Sequence, residues 1–72
     1  KFATRFQLDE DVFIEKRGND KWCVKVFTSV LDRHLNRHYE SMSSNRTEEF
    51  INATRFSLEE AFDIAKRYCE NN

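Results

Sequence analysis

The stretch SLEEAFDIAKRYCE, residues 57–70, decides the fold of this chain. Ser57 and Glu60 match a capping box, in which the Ser57 hydroxyl accepts a hydrogen bond from the Glu60 backbone N–H and the Glu60 carboxylate accepts one from the Ser57 N–H. Behind the cap, apolar side chains recur with the period of an α-helix. They are Leu58, Ala61, Phe62, Ala65, Tyr68 and Cys69, and Ile64 widens the stripe. The stretch therefore predicts an amphipathic helix from Ser57 to Glu70.

A β-hairpin from Val12 to Phe27 is the predicted partner of this helix. An isolated helix of this length is marginal in water, so its apolar stripe needs a surface to bury against. Two runs rich in β-branched and aromatic side chains flank a turn signal, Gly18-Asn19-Asp20, which contains the only glycine of the chain. Because an isolated hairpin is also unstable, we expect Trp22, Val24 and Val26 to pack against the helix.

The N-terminal segment adds a short strand, since Phe2, Thr4 and Phe6 alternate with Ala3 and Arg5. The predicted fold class is one α+β domain over residues 1–72. It consists of a small antiparallel sheet led by the β-hairpin and covered by the C-terminal amphipathic helix, with a second helix in the middle of the chain.

Residues 29–42 are compatible with two structures. Apolar and histidine side chains recur there at helical spacing, and Ser29 to Asp32 supplies a start signal, which favours a helix from Ser29 to Met42. The alternative extends the second strand of the hairpin to Leu31, turns near Asn36 and returns through His38-Tyr39.

Two further predictions concern the segment before the C-terminal helix: an exposed loop from Ser41 to Thr47 and a strand from Glu49 to Phe56. An internal echo also relates residues 3–17 to residues 53–67, beginning with ATRF in both copies. A structural repeat would make residues 8–17 helical. The first copy lacks the serine cap and carries a VFI run that suits a strand, so we interpret the echo as coincidence or a decayed duplication.

Composition narrows the classes of function. The 72 residues are 35% charged with a net charge of −1, so nothing attracts the whole chain to nucleic acid or to acidic lipid. No apolar run approaches the roughly 20 residues of a membrane span, which predicts no membrane partner. Cys23 and Cys69 do not make a disulfide framework and fit two buried apolar side chains. This usage indicates a reducing compartment, and we expect the cytoplasm.

No catalytic residue, metal site or cofactor is predicted. His34 and His38 have the i, i+4 spacing of a zinc pair, but Leu35 stands where the metalloprotease motif has glutamate, and Cys23 and Cys69 do not complete a zinc-finger spacing. A single glycine cannot form a phosphate-binding loop, and no serine lies in a nucleophile elbow. We therefore expect a protein that is not an enzyme.

Charge is distributed unevenly along the chain. Residues 16–37 contain six basic and two acidic side chains, whereas residues 47–72 contain three basic and six acidic ones. The six basic residues form the predicted partner-binding surface: Lys16, Arg17, Lys21, Lys25, Arg33 and Arg37. The competing interpretation is an ordinary solvated face.

The segment Ser57 to Ala65 resembles the helix that follows the sheet in phage-encoded inhibitors of host RNA polymerase and in HicB-type antitoxins. The high charge, the aromatic content and the absence of proline also resemble small phage-encoded early proteins. The resemblance implies a non-catalytic inhibitor that docks on a host enzyme. We therefore expect a protein-binding module, and the alternative is a nucleic-acid-binding accessory protein that uses the basic hairpin surface. A homodimer is compatible with the thin core of so short a chain.

Overall fold

The computed structural model describes residues 3–39 and 47–71. Within them, five antiparallel strands lie side by side in chain order, and two helices follow. The strands are β1 (Arg5–Asp9), β2 (Val12–Gly18), β3 (Lys21–Val26), β4 (Ser29–Leu31) and β5 (Arg37–Tyr39), and the helices are α1 (Glu48–Thr54) and α2 (Leu58–Glu70). The predicted α+β class, with an antiparallel sheet and a C-terminal helix, is confirmed.

The predicted C-terminal helix is present as α2. The Ser57 hydroxyl accepts a hydrogen bond from the Glu60 N–H at 3.2 Å, as the capping box requires. Ala61, Ile64 and Ala65 are fully buried. Phe62 lies at the edge of the predicted stripe, since the residue is 37% exposed while its ring contacts that of Phe6 with centroids 5.3 Å apart.

The core lies between α2 and one face of the sheet. Side chains alternate along a strand, and directly paired residues share a face, so the pairs Val12–Val26 and Ile14–Val24 point the same way. These four side chains are buried and pack with the apolar side of α2, which crosses β1, β2 and β3. Burial of each large apolar side chain contributes roughly 1.5–3 kcal/mol.

The predicted hairpin is β2 and β3, but its turn differs in detail from the prediction. Gly18 is the last residue of β2 and pairs with Lys21, so the turn residues are Asn19 and Asp20. Asp20 carries the positive φ of 51° that we would expect at the glycine. Aspartate tolerates this conformation better than most residues because its short side chain bonds locally.

A single β-bridge ties the start of α2 to the sheet. The N–H of Trp22 donates to the Phe56 carbonyl at 2.7 Å, and the N–H of Phe56 donates to the Trp22 carbonyl at 2.8 Å. β4 pairs with Lys25 and Val26, at the other end of β3, and therefore leaves the edge beside Trp22 to Phe56.

The helix predicted from Ser29 to Met42 is wrong over the described residues, which form β4, a loop and β5. The Asp32 side chain accepts hydrogen bonds from the N–H groups of His34 at 2.8 Å and Asn36 at 3.0 Å, which stabilises a loop instead of a helical turn. Leu35 adds a positive φ of 67°. The alternative is correct in its return strand through His38-Tyr39 and in the turn before it, but the second strand of the hairpin ends at Val26 and does not extend to Leu31, because the chain reverses at Phe27 and Thr28 into β4. Residues 40–42 lie outside the described residues.

The strand predicted from Glu49 to Phe56 is also wrong, because Glu48 to Thr54 is α1. The Thr47 hydroxyl accepts from the Phe50 N–H at 3.1 Å and caps the helix, and Glu48 and Glu49 lie at its positive end. Thr47 is therefore a cap and not the end of a loop. The rest of the predicted loop, residues 41–46, lies outside the described residues.

α1 lies on the face of the sheet opposite α2. Its Phe50 ring meets the His38 ring edge-on with centroids 6.4 Å apart. His38 pairs with Val30, which pairs with Lys25, and these side chains point away from α2. The echo has no structural counterpart, since residues 12–18 are a strand and residues 62–68 are helical.

Candidate functional site

The six predicted basic residues do not form one surface. Arg17 and Lys25 lie on the face opposite α2. Lys16 pairs with Trp22 and belongs to the other face. The remaining residues, Lys21, Arg33 and Arg37, lie at two other places. The register of the sheet separates side chains that are close in the sequence.

A groove of about 650 Å³ lies where α2 begins, and it contains two of the predicted residues, Lys21 and Arg33. Arg55 also lines it, together with the acidic side chains of Asp20 and Glu60. The Arg33 Nε donates to the Glu60 carboxylate at 3.1 Å. Because acidic side chains accompany the basic ones, the groove offers little net attraction for an anion.

The open face is the side of β1, β2 and β3 that is opposite α2. By register its side chains are those of Arg5, Gln7, Phe13, Glu15, Lys25 and the fully buried Cys23, and the ion pair with Glu15 adds Arg17. The Glu15 carboxylate accepts from the Arg5 Nε at 3.1 Å and from an Arg17 terminal nitrogen at 2.9 Å. The Arg5 guanidinium carbon also lies 4.0 Å from the centre of the Phe13 ring.

The sequence prediction missed Arg5 and Phe13, which supply a cation and the aromatic ring of the open face. The prediction grouped basic residues by segment, whereas the strand period of two groups them by face. Pairing the predicted first strand with the hairpin would have brought Arg5 beside Glu15. The predicted members Arg17 and Lys25 do share this face.

The aromatic corner consists of Phe27, Arg37 and Tyr39. Phe27 is 59% exposed and Tyr39 is 76% exposed. The Arg37 guanidinium carbon lies 5.8 Å from the centre of the Phe27 ring, within the range of a cation–π contact. Arg37 pairs with Leu31 and Tyr39 with Ser29, which places both on the same face as α2, beyond the strands that α2 crosses.

The predicted histidine pair does not share a helix face. His34 lies in the loop between β4 and β5, and His38 lies on β5 with its Nε2 2.7 Å from an Asp32 carboxylate oxygen. In residues 3–39 and 47–71, no group of three or more histidine, cysteine or acidic side chains is arranged to hold a metal ion. His38 therefore takes part in the loop's hydrogen bonding.

Asp32 holds this loop together. Partial burial opposes ionisation of its carboxyl group, but hydrogen bonds from His38 and from the N–H groups of Asn36 and His34 outweigh it and lower the pKa to about 2. The neighbouring Arg33 contacts both helices, through the Glu60 carboxylate of α2 and, at 3.4 Å, the Asn52 carbonyl of α1. The loop thus connects the sheet to both helices.

Both cysteines are free thiols, and Cys23 is fully buried in β3. Burial raises the pKa of the Cys69 thiol, and the carboxylates of Asp9 and Glu70 raise it further.

Neither helix in the described part of the chain has the length and apolar character needed to cross a bilayer. Comparisons of the chain with protein-family models, with curated proteins and with solved structures give no match.

Proposed function

We propose that this chain is a non-catalytic module that docks on another protein through the aromatic corner, as a phage-type inhibitor or regulator of a host protein would. The observation that carries the proposal is the backbone of Phe27. This residue is the first of the two that connect β3 to β4, and its φ is 56°. Glycine is the usual residue where such a turn needs a positive φ, and a side chain there costs roughly 1–2 kcal/mol.

Leu35 shows how such a cost is normally offset. Its φ is also positive, at 67°, but its side chain packs against the core. Phe27 has the same kind of strain, yet its ring is 59% exposed. A strained residue with little burial to compensate is a pointer to function, because strain is retained where a partner makes use of it.

The chemistry of the corner favours a protein partner. Aromatic residues and arginine are enriched at the centres of protein interfaces, where they carry much of the binding energy. Phe27 and Tyr39 offer apolar rings, and Arg37 offers a cation beside them. We therefore propose a partner segment that presents an apolar side chain flanked by a carboxylate. The cytoplasm fits this proposal, since Cys23 and Cys69 do not form a disulfide bond.

Site-specific photo-crosslinking tests the proposal. Benzoylphenylalanine replaces Phe27 in one variant, Tyr39 in a second and Phe62 in a third, which is the matched control because Phe62 is an exposed ring on α2. We expect positions 27 and 39 to crosslink one and the same cellular protein and position 62 to leave it unlabelled. Equal labelling from all three positions would refute the corner, and a crosslink to a second copy of the chain would assign the corner to a homodimer.

Binding by the purified partner then separates docking from folding. Phe27→Asn places a residue that accepts positive φ in the turn, so relief of strain offsets the lost contacts of the ring. We expect the thermal midpoint to stay within a few degrees while affinity for the partner falls at least tenfold, the loss typical of an aromatic anchor. Unchanged affinity would contradict the proposal.

A further inference from the structure

The open face is a second surface whose chemistry the aromatic corner does not use. Its three basic side chains, Arg5, Arg17 and Lys25, come from three adjacent strands and surround one acidic side chain, Glu15. The chain as a whole is slightly acidic, with a net charge of −1. This face therefore carries an excess of positive charge, whereas the chain as a whole carries a small excess of negative charge.

The Glu15 carboxylate lies lower on this face than the Arg5 guanidinium, and the Arg17 side chain, which is 22% exposed, lies nearly as low as Glu15. The Glu15 side chain is 18% exposed, whereas that of Arg5 is 58% exposed. Arg5 uses its Nε for Glu15 and rests on the Phe13 ring at 4.0 Å, so its planar group is held in one orientation with its outer edge toward solvent. A fixed guanidinium binds an anion with less loss of conformational entropy than a free side chain does.

We propose that the open face binds single-stranded nucleic acid, with phosphates at the edges of Arg5, Arg17 and Lys25 and a base stacked on the outer plane of the Arg5 guanidinium, which the Phe13 ring supports from below. Proteins that bind single strands combine cations along the backbone with an aromatic or guanidinium plane for the bases. The open face offers both within one layer of side chains. An acidic protein segment would use the cations but would gain nothing from the stacked plane of Arg5 and Phe13.

Salt dependence measures how many phosphates are held. Each neutralised phosphate of a single strand contributes about 0.7 to the slope of log affinity against log salt. Three contacts predict a slope of about −2, so affinity should fall about 15-fold between roughly 50 and 200 mM salt. A slope near zero would contradict the proposal.

Glu15→Gln is the most informative variant. It removes the one acidic side chain of the face and its ion pairs with Arg5 and Arg17, so we expect tighter binding of a labelled single strand of about 12 nucleotides, measured by fluorescence anisotropy. A purely structural role for Glu15 predicts the reverse, because a loosened sheet would bind more weakly. Circular dichroism of the variant verifies that it remains folded, and weaker binding by the folded variant would overturn the proposal.

Four other variants complete the test. Arg5→Ala and Lys25→Ala should each weaken binding and make the salt slope shallower by about 0.7. Phe13→Ala should weaken binding at least fivefold, because the Arg5 plane on which the base stacks loses its support, without changing the slope, since no phosphate contact is lost. A double change of Lys66 and Arg67 to alanine removes two charges from α2, on the other side of the molecule, and should alter affinity less than twofold.

The choice of probe decides the class of ligand. We expect DNA and RNA single strands to bind, and a duplex of the same sequence and a polyglutamate chain of similar charge to bind at least tenfold more weakly. Equal binding of the duplex would contradict base stacking, and equal binding of polyglutamate would assign the face to acidic protein segments. Failure of the proposal would leave the aromatic corner unaffected, because neither Phe27 nor Tyr39 belongs to the open face.

Discussion

The two helices begin in the same way and are held by the fold in different ways. Thr47 caps α1 and Ser57 caps α2, each through a hydroxyl that accepts from the backbone N–H three residues later. α2 has 13 residues and buries Ala61, Ile64 and Ala65 against three strands, whereas α1 has seven residues and its buried residue is Thr54. A cap therefore fixes where a helix starts, but an apolar stripe at helical period decides whether the helix anchors the fold.

Truncating the largest buried side chain of α2 should give the greatest loss of stability. Ile64→Ala removes three carbons from a fully buried site and should lower the free energy of unfolding by about 2–5 kcal/mol. Ile51→Ala on α1 is the matched change at a half-buried site, and we expect a loss below about 1.5 kcal/mol there.

Urea unfolding followed by circular dichroism measures both losses. If Ile64→Ala does not fold, Ile64→Val should still lower stability by about 0.5–1.5 kcal/mol. Equal losses of unfolding free energy at positions 51 and 64 would show that α1 and α2 contribute equally to the core, which would contradict the larger role of α2.

Asp32→Asn should have the next largest effect, about 1–3 kcal/mol, because the amide cannot replace all the hydrogen bonds of the carboxylate. Arg33, next in the chain, contacts both helices, so the loss should speed amide hydrogen exchange in α1 more than in α2, whose stripe remains buried. Faster exchange confined to α2 would contradict this account.

Low pH should also destabilise the protein through the Asp32 loop. The folded-state pKa of Asp32 is about 2, below the usual value of 3.8, so its stabilising contribution is complete above pH 3.8 and is lost as the pH falls toward 2. Stability of the native protein should therefore decline between about pH 4 and pH 2 by more than that of Asp32→Asn. Identical declines would assign the acid sensitivity to other groups.

Removing the cap of either helix should cause a smaller loss of stability, and the two losses should differ in kind. Ser57→Ala should lower global stability by about 1 kcal/mol, because α2 unfolds with the core. Thr47→Ala removes the same kind of bond, but we expect it to speed hydrogen exchange in α1 with less change in the global transition. A global loss from Thr47→Ala as large as that from Ser57→Ala would mean that α1 and α2 unfold together.

Substitutions on the exposed side of α2 should change the free energy of unfolding least. Arg67 and Asp63 form an i, i+4 pair at 3.2 Å, but their side chains are 46% and 65% exposed. Solvent screens such a pair, and Asp63→Asn should cost no more than about 0.5 kcal/mol at low salt and less at high salt. A loss above 1 kcal/mol in thermal unfolding would show that surface charge, and not burial alone, anchors α2.

The parts of the fold that sequence predicts best are those where local signals agree with tertiary packing. In α2, the Ser57 cap and the apolar stripe indicate the same helix, and in β2 and β3 the turn and the strand-forming runs agree. The helix prediction for the segment from Ser29 to Tyr39 is wrong, because the side-chain hydrogen bonds of Asp32 favour a loop over the helix that the apolar spacing indicates. These hydrogen bonds act over a few residues and leave no periodic signal in the sequence.

The candidate surfaces were harder to predict because they depend on register. Arg5 and Glu15 lie ten positions apart and meet only when β1 pairs with β2. Phe27 is exposed and has a positive φ because it lies in a two-residue turn between β3 and β4. The sequence alone favoured a helix that begins at Ser29, just after this turn. The strand predicted from Glu49 to Phe56 overlooks the Thr47 cap and the acidic first turn, Glu48 and Glu49, which favour the helix α1.

The rates at which the two thiols are alkylated report two different opening motions of this molecule. Cys69 lies in the last turn of α2 and is partly exposed, so fraying of that turn is enough to bring it to an alkylating reagent. Cys23 lies in the central strand with no exposed surface, and a reagent reaches it only when the sheet itself opens. Mass spectrometry of singly and doubly alkylated chains would thus separate end fraying from complete opening without any engineered label.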